Sequence, residues 1–164
     1  MQATLSGTQF IGPSIFERPL QILGKLSHSF SFLAPLLTRL VIGYAFMLTG
    51  RGKWMNFDNT VRFFDGLGIP LPQANAAFVS SLELIGGMAI MIGLGTRLFA
   101  FLLSNTMVVA LLTADKESFL AKFGSDLTEV TPVVFLLFLI WLVLYGPGRL
   151  SLDAVIARAF RRTD

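Results

Sequence analysis

The sequence predicts an all-α integral membrane protein, built as a four-helix up-down bundle that is preceded by an amphipathic surface helix. Of the 164 residues, 54% are hydrophobic and only 14% are charged, whereas soluble domains carry about 25% charged residues. The apolar residues lie in four runs of 17–21 residues, and about 20 helical residues span the hydrocarbon layer. Phe outnumbers Tyr by 16 to 2, as expected where a ring faces lipid and a hydroxyl would have no partner.

The segment before the first run, residues 1–31, has helical periodicity. Phe16, Leu20 and Leu23 share one face with Leu26 and Phe30. This pattern predicts an amphipathic helix over residues 15–30 that lies on the membrane surface. Docking of this helix on a partner subunit is the alternative. The segment lacks the plan of a cleaved signal peptide.

The predicted spans are residues 32–50, 74–94, 98–114 and 128–146. Each contains at most one charged residue, and the turn Gly95-Thr96-Arg97 separates the second span from the third. After the first span, residues 51–73 combine aromatic residues with two Gly and two Pro, which predicts a short helix at the headgroup level that ends before the second span. Gly146 and Gly148 end the fourth helix around Pro147, and Ser151 can cap a terminal helix.

Four spans place both termini and the turn at Arg97 on the same side of the membrane. That side holds seven basic residues and the other side five, so the positive-inside rule places both termini in the cytoplasm. The seven are Arg18, Lys25, Arg97, Arg149, Arg158, Arg161 and Arg162. The basic tail, residues 156–164, suits anionic headgroups, and no nucleic-acid-binding module is present.

The chain has no Cys and a single His. This composition argues against iron–sulfur clusters, a bis-His haem and metal sites built on thiolates or imidazoles. Redox chemistry would therefore need a bound organic cofactor or a partner protein.

Three polar residues within the spans are candidates for function. Counted from one side of the membrane, Arg39 lies roughly 16 Å deep and Glu83 roughly 13 Å deep, so the sequence predicts an ion pair between them. Asn105 lies at the middle of the third span. Charged groups within a membrane are costly and often functional. Ligand binding or proton handling at Arg39, Glu83 and Asn105 is one interpretation, and a purely structural polar core is the other.

Small residues accompany these charges. Gly43 shares a helix face with Arg39, while Gly86 and Gly87 share one with Glu83. Together with Gly93, these glycines predict close helix packing, because small residues let helix backbones approach.

Several motifs in this order resemble the DoxX family over residues 32–155. They are Arg39 followed by Gly43, Phe46, Gly50 and Lys53; the segment Gly68-Ile69-Pro70; the segment Glu83-Leu84-Ile85-Gly86-Gly87; the segment Gly93-Leu94-Gly95-Thr96-Arg97; and the segment from Gly146 to Asp153. The resemblance implies a four-helix protein of the bacterial inner membrane. Relatives in that family include the DoxD subunit of a thiosulfate:quinone oxidoreductase, which implies quinone-linked work with a partner.

Three functions remain open at this point. The first is a membrane subunit of a quinone-linked oxidoreductase or related redox complex, with a quinone as its cofactor or substrate. The second is a non-catalytic subunit that stabilises a larger membrane assembly. The third is a small transporter, although the spans lack the repeated halves and paired helix breaks of that class. Whether the chain itself is an enzyme is undecided by the sequence.

The predicted orientation can be tested by cysteine labelling, since the chain has no Cys of its own. In intact cells, Asn59→Cys should react with an impermeant thiol reagent, whereas Gln2→Cys and Thr163→Cys should react only after lysis. Labelling of both termini together with protection at position 59 would reverse the orientation.

Overall fold

The computed structural model describes residues 32–160. The predicted surface helix at residues 15–30 and the end of the basic tail lie outside the described residues. Within the described range the chain forms seven α-helices and no strands. They are α1 (Leu33–Met55), α2 (Phe57–Gly66), α3 (Pro72–Ile92), α4 (Thr96–Leu112), α5 (Lys116–Ala121), α6 (Thr131–Tyr145) and α7 (Leu152–Phe160), with a 3₁₀ turn at Leu127–Glu129.

Helix boundaries follow the local chemistry of the chain. Pro72 occupies the first turn of α3, where the absent N–H of proline costs nothing. Gly146 ends α6 at a φ of 82°, a conformation that favours glycine. The Ser151 hydroxyl accepts a hydrogen bond from the backbone N–H of Ala154 at 3.1 Å and thereby caps α7, as the sequence predicts.

The main helices pack in pairs. Helix α1 packs along α3, α4 packs along α6, and α3 contacts α4. Phe46 of α1 and Phe135 of α6 connect the pairs through rings whose centroids lie 5.4 Å apart. The core consists of Ile42, Phe46, Leu82, Ile90, Ala100, Leu103, Met107, Leu139 and Leu142.

Helices α1 and α3 approach each other closely, because glycines face each other across their contact. A Cβ added to Gly43 would lie 2.6 Å from the carbonyl oxygen of Gly87, and one added to Gly87 would lie 2.5 Å from the amide nitrogen of Met47. Gly50 lies directly against the backbone of Leu84. Gly86 faces α4 instead, where Phe99 and Leu103 surround it. Backbone thus packs on backbone along α1 and α3.

Two helices, α1 and α3, are long and apolar enough to cross a membrane by length and composition. Helices α4 and α6 are apolar but shorter, at 17 and 15 residues. Large apolar side chains are exposed on the outer faces of all four, including Val41, Ile85, Leu98 and Leu137. These surfaces suit a lipid environment, in which apolar exposure carries no penalty.

The glycine contact predicts a sharp difference between two Gly→Ala substitutions. Gly87→Ala should destabilise the protein by about 1–3 kcal/mol, because the new methyl group meets rigid backbone. Gly52→Ala in α1 is the matched control, since nothing lies within 4 Å of its added Cβ, and it should be neutral or slightly stabilising. SDS-induced unfolding in mixed micelles measures both. Equal stability of the two variants would contradict the close approach of α1 and α3.

Candidate functional site

The predicted ion pair between Arg39 and Glu83 is not formed, although both side chains are buried, at 1% and 2% exposure. Arg39 lies level with the end of α3, because Gly43 one turn further along α1 lies opposite Gly87 and the Nη1 of Arg39 lies against Gly93. Glu83 lies ten residues before Gly93, or roughly 15 Å along the helix. The depth prediction was wrong for two reasons: it ended the first span at residue 50, whereas α1 continues to Met55, and it did not include the register that the glycines set between α1 and α3. The two charges therefore belong to opposite ends of the α1–α3 pair.

Arg39 holds the segment between α6 and α7. Its Nη2 donates a hydrogen bond to the carbonyl oxygen of Leu150 at 2.5 Å. Its Nη1 lies so close to Gly93 that a Cβ at that position would overlap it, and the same Cβ would meet Ser151. Arg39 thus fastens the chain after α6 to the end of α3.

Asp153 completes this connection. Its carboxylate accepts hydrogen bonds from the backbone N–H groups of Gly95 and Thr96, at 2.8 and 3.2 Å. Its own N–H donates to the carbonyl oxygen of Gly93 at 3.0 Å. We call Arg39, Gly93, Leu150 and Asp153 the Arg39 clasp. The clasp satisfies the backbone N–H groups of Gly95 and Thr96 at the start of α4 and joins three of the sequence motifs. Nε and Nη1 of Arg39 are buried without a hydrogen-bond partner among the described residues.

Glu83 pairs with Lys53 at the other end of α1. The Nζ of Lys53 lies 2.5 Å from Oε1 of Glu83. The Lys53 side chain is 31% exposed and the Glu83 side chain 2%. The second carboxylate oxygen, Oε2, is buried without a hydrogen-bond partner in the part of the chain that the structure describes. The sequence analysis placed Lys53 in the connection after the first span, so it missed this partner; the extra turn of α1 brings Lys53 within reach.

The Lys53–Glu83 pair lines a cavity of about 310 Å³ between α2, α3 and α4. Most of its wall is apolar, with Phe64, Leu82 and Met107 on the inside. The exposed side chains Phe63, Phe78 and Val109 also line it, so the cavity opens between helices toward the outer surface.

Asn105 is exposed, whereas the sequence analysis predicts a buried position for it. Its side-chain nitrogen donates to the carbonyl oxygen of Phe101 at 3.0 Å, and the residue lines the same cavity as Glu83. The structure therefore brings Glu83 and Asn105 to one site with Lys53, and places Arg39 elsewhere. Within residues 32–160 no three His, Cys, Asp or Glu side chains come together as metal ligands.

A second ion pair lies on the surface. Lys122 Nζ is 2.7 Å from Oε2 of Glu129. The hydrogen bond from Lys122 lowers the pKa of Glu129. Both side chains are exposed, so this pair is a suitable reference for the buried one.

The all-helical fold and its exposed apolar faces define a helical membrane protein. The sequence profile of the DoxX family matches residues 34–116, and the chain belongs to that family. This confirms the resemblance found in the sequence. No solved structure gives a significant match.

Three relatives illustrate the family. The Bacillus subtilis (strain 168) protein named "Putative oxidoreductase CatD" is 31% identical over 125 residues, which cover 76% of this chain and 87% of the relative. "Inner membrane protein YphA" of Escherichia coli (strain K12) is 30% identical, covering 72% of this chain and 86% of its own length. "Uncharacterized membrane protein Rv3486" of Mycobacterium tuberculosis is 27% identical, covering 82% and 88%.

The two ion pairs predict unequal effects of removing the lysine. Lys53→Met should destabilise the protein by about 2–3 kcal/mol, because it leaves a buried carboxylate without its cation. Lys122→Met should leave stability almost unchanged, since exposed ion pairs contribute little. SDS-induced unfolding compares them, and the double variant Lys53→Met with Glu83→Gln should recover part of the loss. Equal losses for the two single variants would show that the Lys53–Glu83 pair is not buried in the native protein.

Proposed function

We propose that this chain is a membrane subunit of a quinone-linked oxidoreductase complex and that it binds the quinone head group in the cavity beside Lys53 and Glu83. The observation that carries the proposal is Glu83, which lines an apolar cavity and whose buried Oε2 has no hydrogen-bond partner among the described residues. Buried polar atoms normally have partners. An unpaired one in a residue that lines a cavity therefore favours a polar ligand there.

The shape and chemistry of the cavity fit a quinone. Its volume of about 310 Å³ lies at the lower end of the range for small-molecule sites and accommodates one ring with small substituents. The apolar wall suits a ring and the start of an isoprenoid tail. The exposed rim at Phe63, Phe78 and Val109 would let the remainder of the tail extend into lipid.

The chain contributes polar groups but no redox group of its own. Lys53 can donate hydrogen bonds to a quinone oxygen, and Glu83 can accept one from the hydroxyl group of the reduced form. With no Cys and one His in the sequence, the electrons must come from a partner, so we place this chain in a complex. The name of the Bacillus subtilis relative, which contains the word oxidoreductase, supports a redox association.

We further propose four spans in the bacterial inner membrane, with both termini in the cytoplasm. Helices α1 and α3 meet the length criterion. Helices α4 and α6 cover roughly 26 and 23 Å at 1.5 Å per residue. Their shortfall is compatible with local thinning of the bilayer, which costs only fractions of a kcal/mol per Å. The name of the Escherichia coli relative specifies the inner membrane.

A non-catalytic role in assembly is the second candidate. Its support is the exposed face of α6, where Leu137, Phe138 and Leu144 have no neighbours from the described residues that cover them. Such a face can pack on another membrane helix as well as on lipid. In that case the cavity would contain no quinone.

The proposed quinone site can be tested by measuring the quinone that the protein binds and by blocking the cavity with a larger side chain. Protein purified in lipid nanodiscs without detergent exchange should release quinone on organic extraction, in a near-stoichiometric amount by mass spectrometry. Ala110→Phe, which projects a ring into the cavity, should weaken quinone binding by about fivefold or more, since overpacking costs at least ~1 kcal/mol.

The matched control is Val108→Phe on the same helix, because Val108 is exposed and lies outside the cavity wall. It should retain quinone at the wild-type level. Wild-type protein that carries no quinone and binds none when it is added would refute the proposed function and favour the assembly role.

A further inference from the structure

We infer that the cavity selects the reduced quinol over the oxidised quinone. This inference rests on the proposed function and adds the redox state of the ligand that the site prefers. It follows from the hydrogen-bonding capacity that remains unused at the Lys53–Glu83 pair.

The two partners of the ion pair differ in whether their remaining hydrogen-bonding groups can find a partner. Glu83 uses Oε1 for Lys53, and Oε2 is buried with no donor in residues 32–160. A carboxylate paired with an ammonium group is ionised and can only accept hydrogen bonds. Lys53 also has unused N–H donors, but its side chain is 31% exposed, so water or headgroups can accept from them.

The ligand atom beside Oε2 must therefore be a donor. An oxidised quinone presents only carbonyl oxygens, which accept hydrogen bonds. A quinone oxygen placed beside Oε2 would leave the carboxylate unpaired and bring two acceptors together, at a cost typical of a buried charged group. A quinol presents two O–H groups, and one of them can donate to Oε2 in a charge-assisted hydrogen bond.

Other groups in the cavity do not reverse this preference. Lys53 can donate to either redox form, because quinone carbonyls and quinol hydroxyls both accept hydrogen bonds. The amides of Asn75 and Asn105 and the hydroxyls of Thr106 and Thr113 can donate or accept and so discriminate weakly. Among the polar groups on the cavity wall, Glu83 distinguishes the two forms most strongly. Because the quinol makes one charge-assisted hydrogen bond that the quinone cannot make, the expected preference for the quinol is about tenfold.

The experiment measures two affinities on one protein. Full-length protein in nanodiscs is titrated anaerobically with a benzoquinone that carries two isoprene units, and separately with its two-electron-reduced form. Wild-type protein should bind the quinol about tenfold more tightly. Glu83→Gln should remove or reverse the preference while it still binds the quinone, because the Gln amide can donate to a carbonyl oxygen.

Two controls keep the result interpretable. Lys53→Met with Glu83→Gln supplies a neutral version of the site if Glu83→Gln alone fails to fold. Ala110→Phe should weaken both ligands and so locates the binding in this cavity. The outcomes are distinct. Equal affinities of the wild-type protein for the two forms, or an unchanged preference in folded Glu83→Gln, overturn the inference and leave the proposed function standing. Absence of binding by either form overturns both.

Discussion

The contact between α1 and α3 is the constraint on which the remainder of the fold depends. Gly43 and Gly87 bring the two backbones together, and Gly50 repeats the contact against Leu84. Because backbone meets backbone at these points, with the Met91 side chain also against Gly43, sliding by one turn, about 5.4 Å, would drive side chains into backbone. The glycines therefore set the register of α1 on α3. That register separates Arg39 from Glu83 and leaves each to find another partner.

The two ends of the α1–α3 pair then serve different purposes. At one end the Arg39 clasp joins α1, the α3–α4 turn and the start of α7 through backbone hydrogen bonds. Such bonds to main-chain groups fix the geometry of the helix ends, while Nε and Nη1 of Arg39 and Oγ1 of Thr96 are buried there without partners among the described residues. At the other end the Lys53–Glu83 pair lies on the wall of a cavity with one oxygen unpaired. The Arg39 clasp, by fixing one end of the α1–α3 pair, supports the placement of the helices around the cavity at the other end.

The features that could be predicted from the sequence are those that depend on a few neighbouring residues. The break before the second span, the helix end at Gly146 and the Ser151 cap were predicted, because each follows from the chemistry of a few neighbouring residues. The partner of Glu83 could not be predicted in this way, because that contact depends on the register between distant segments and on five further residues of α1. Asn105 was placed correctly along α4, but its lack of burial was missed because α4 is apolar nearly all round. Of the candidate site, sequence supplied Glu83 and Asn105 but not Lys53.

The energetics of the Lys53–Glu83 pair explain why a ligand site is plausible at this position. Isolated charges are costly within a membrane, and pairing Glu83 with Lys53 removes most of that cost. A purely structural ion pair would be expected to satisfy both carboxylate oxygens, as the carboxylate of Asp153 does in the Arg39 clasp. Glu83 satisfies only one, its second oxygen is buried without a partner among the described residues, and its side chain lines an apolar cavity. A ligand that supplies the missing donor would lower the free energy of this pair, so ligand binding and stability should be coupled at Glu83.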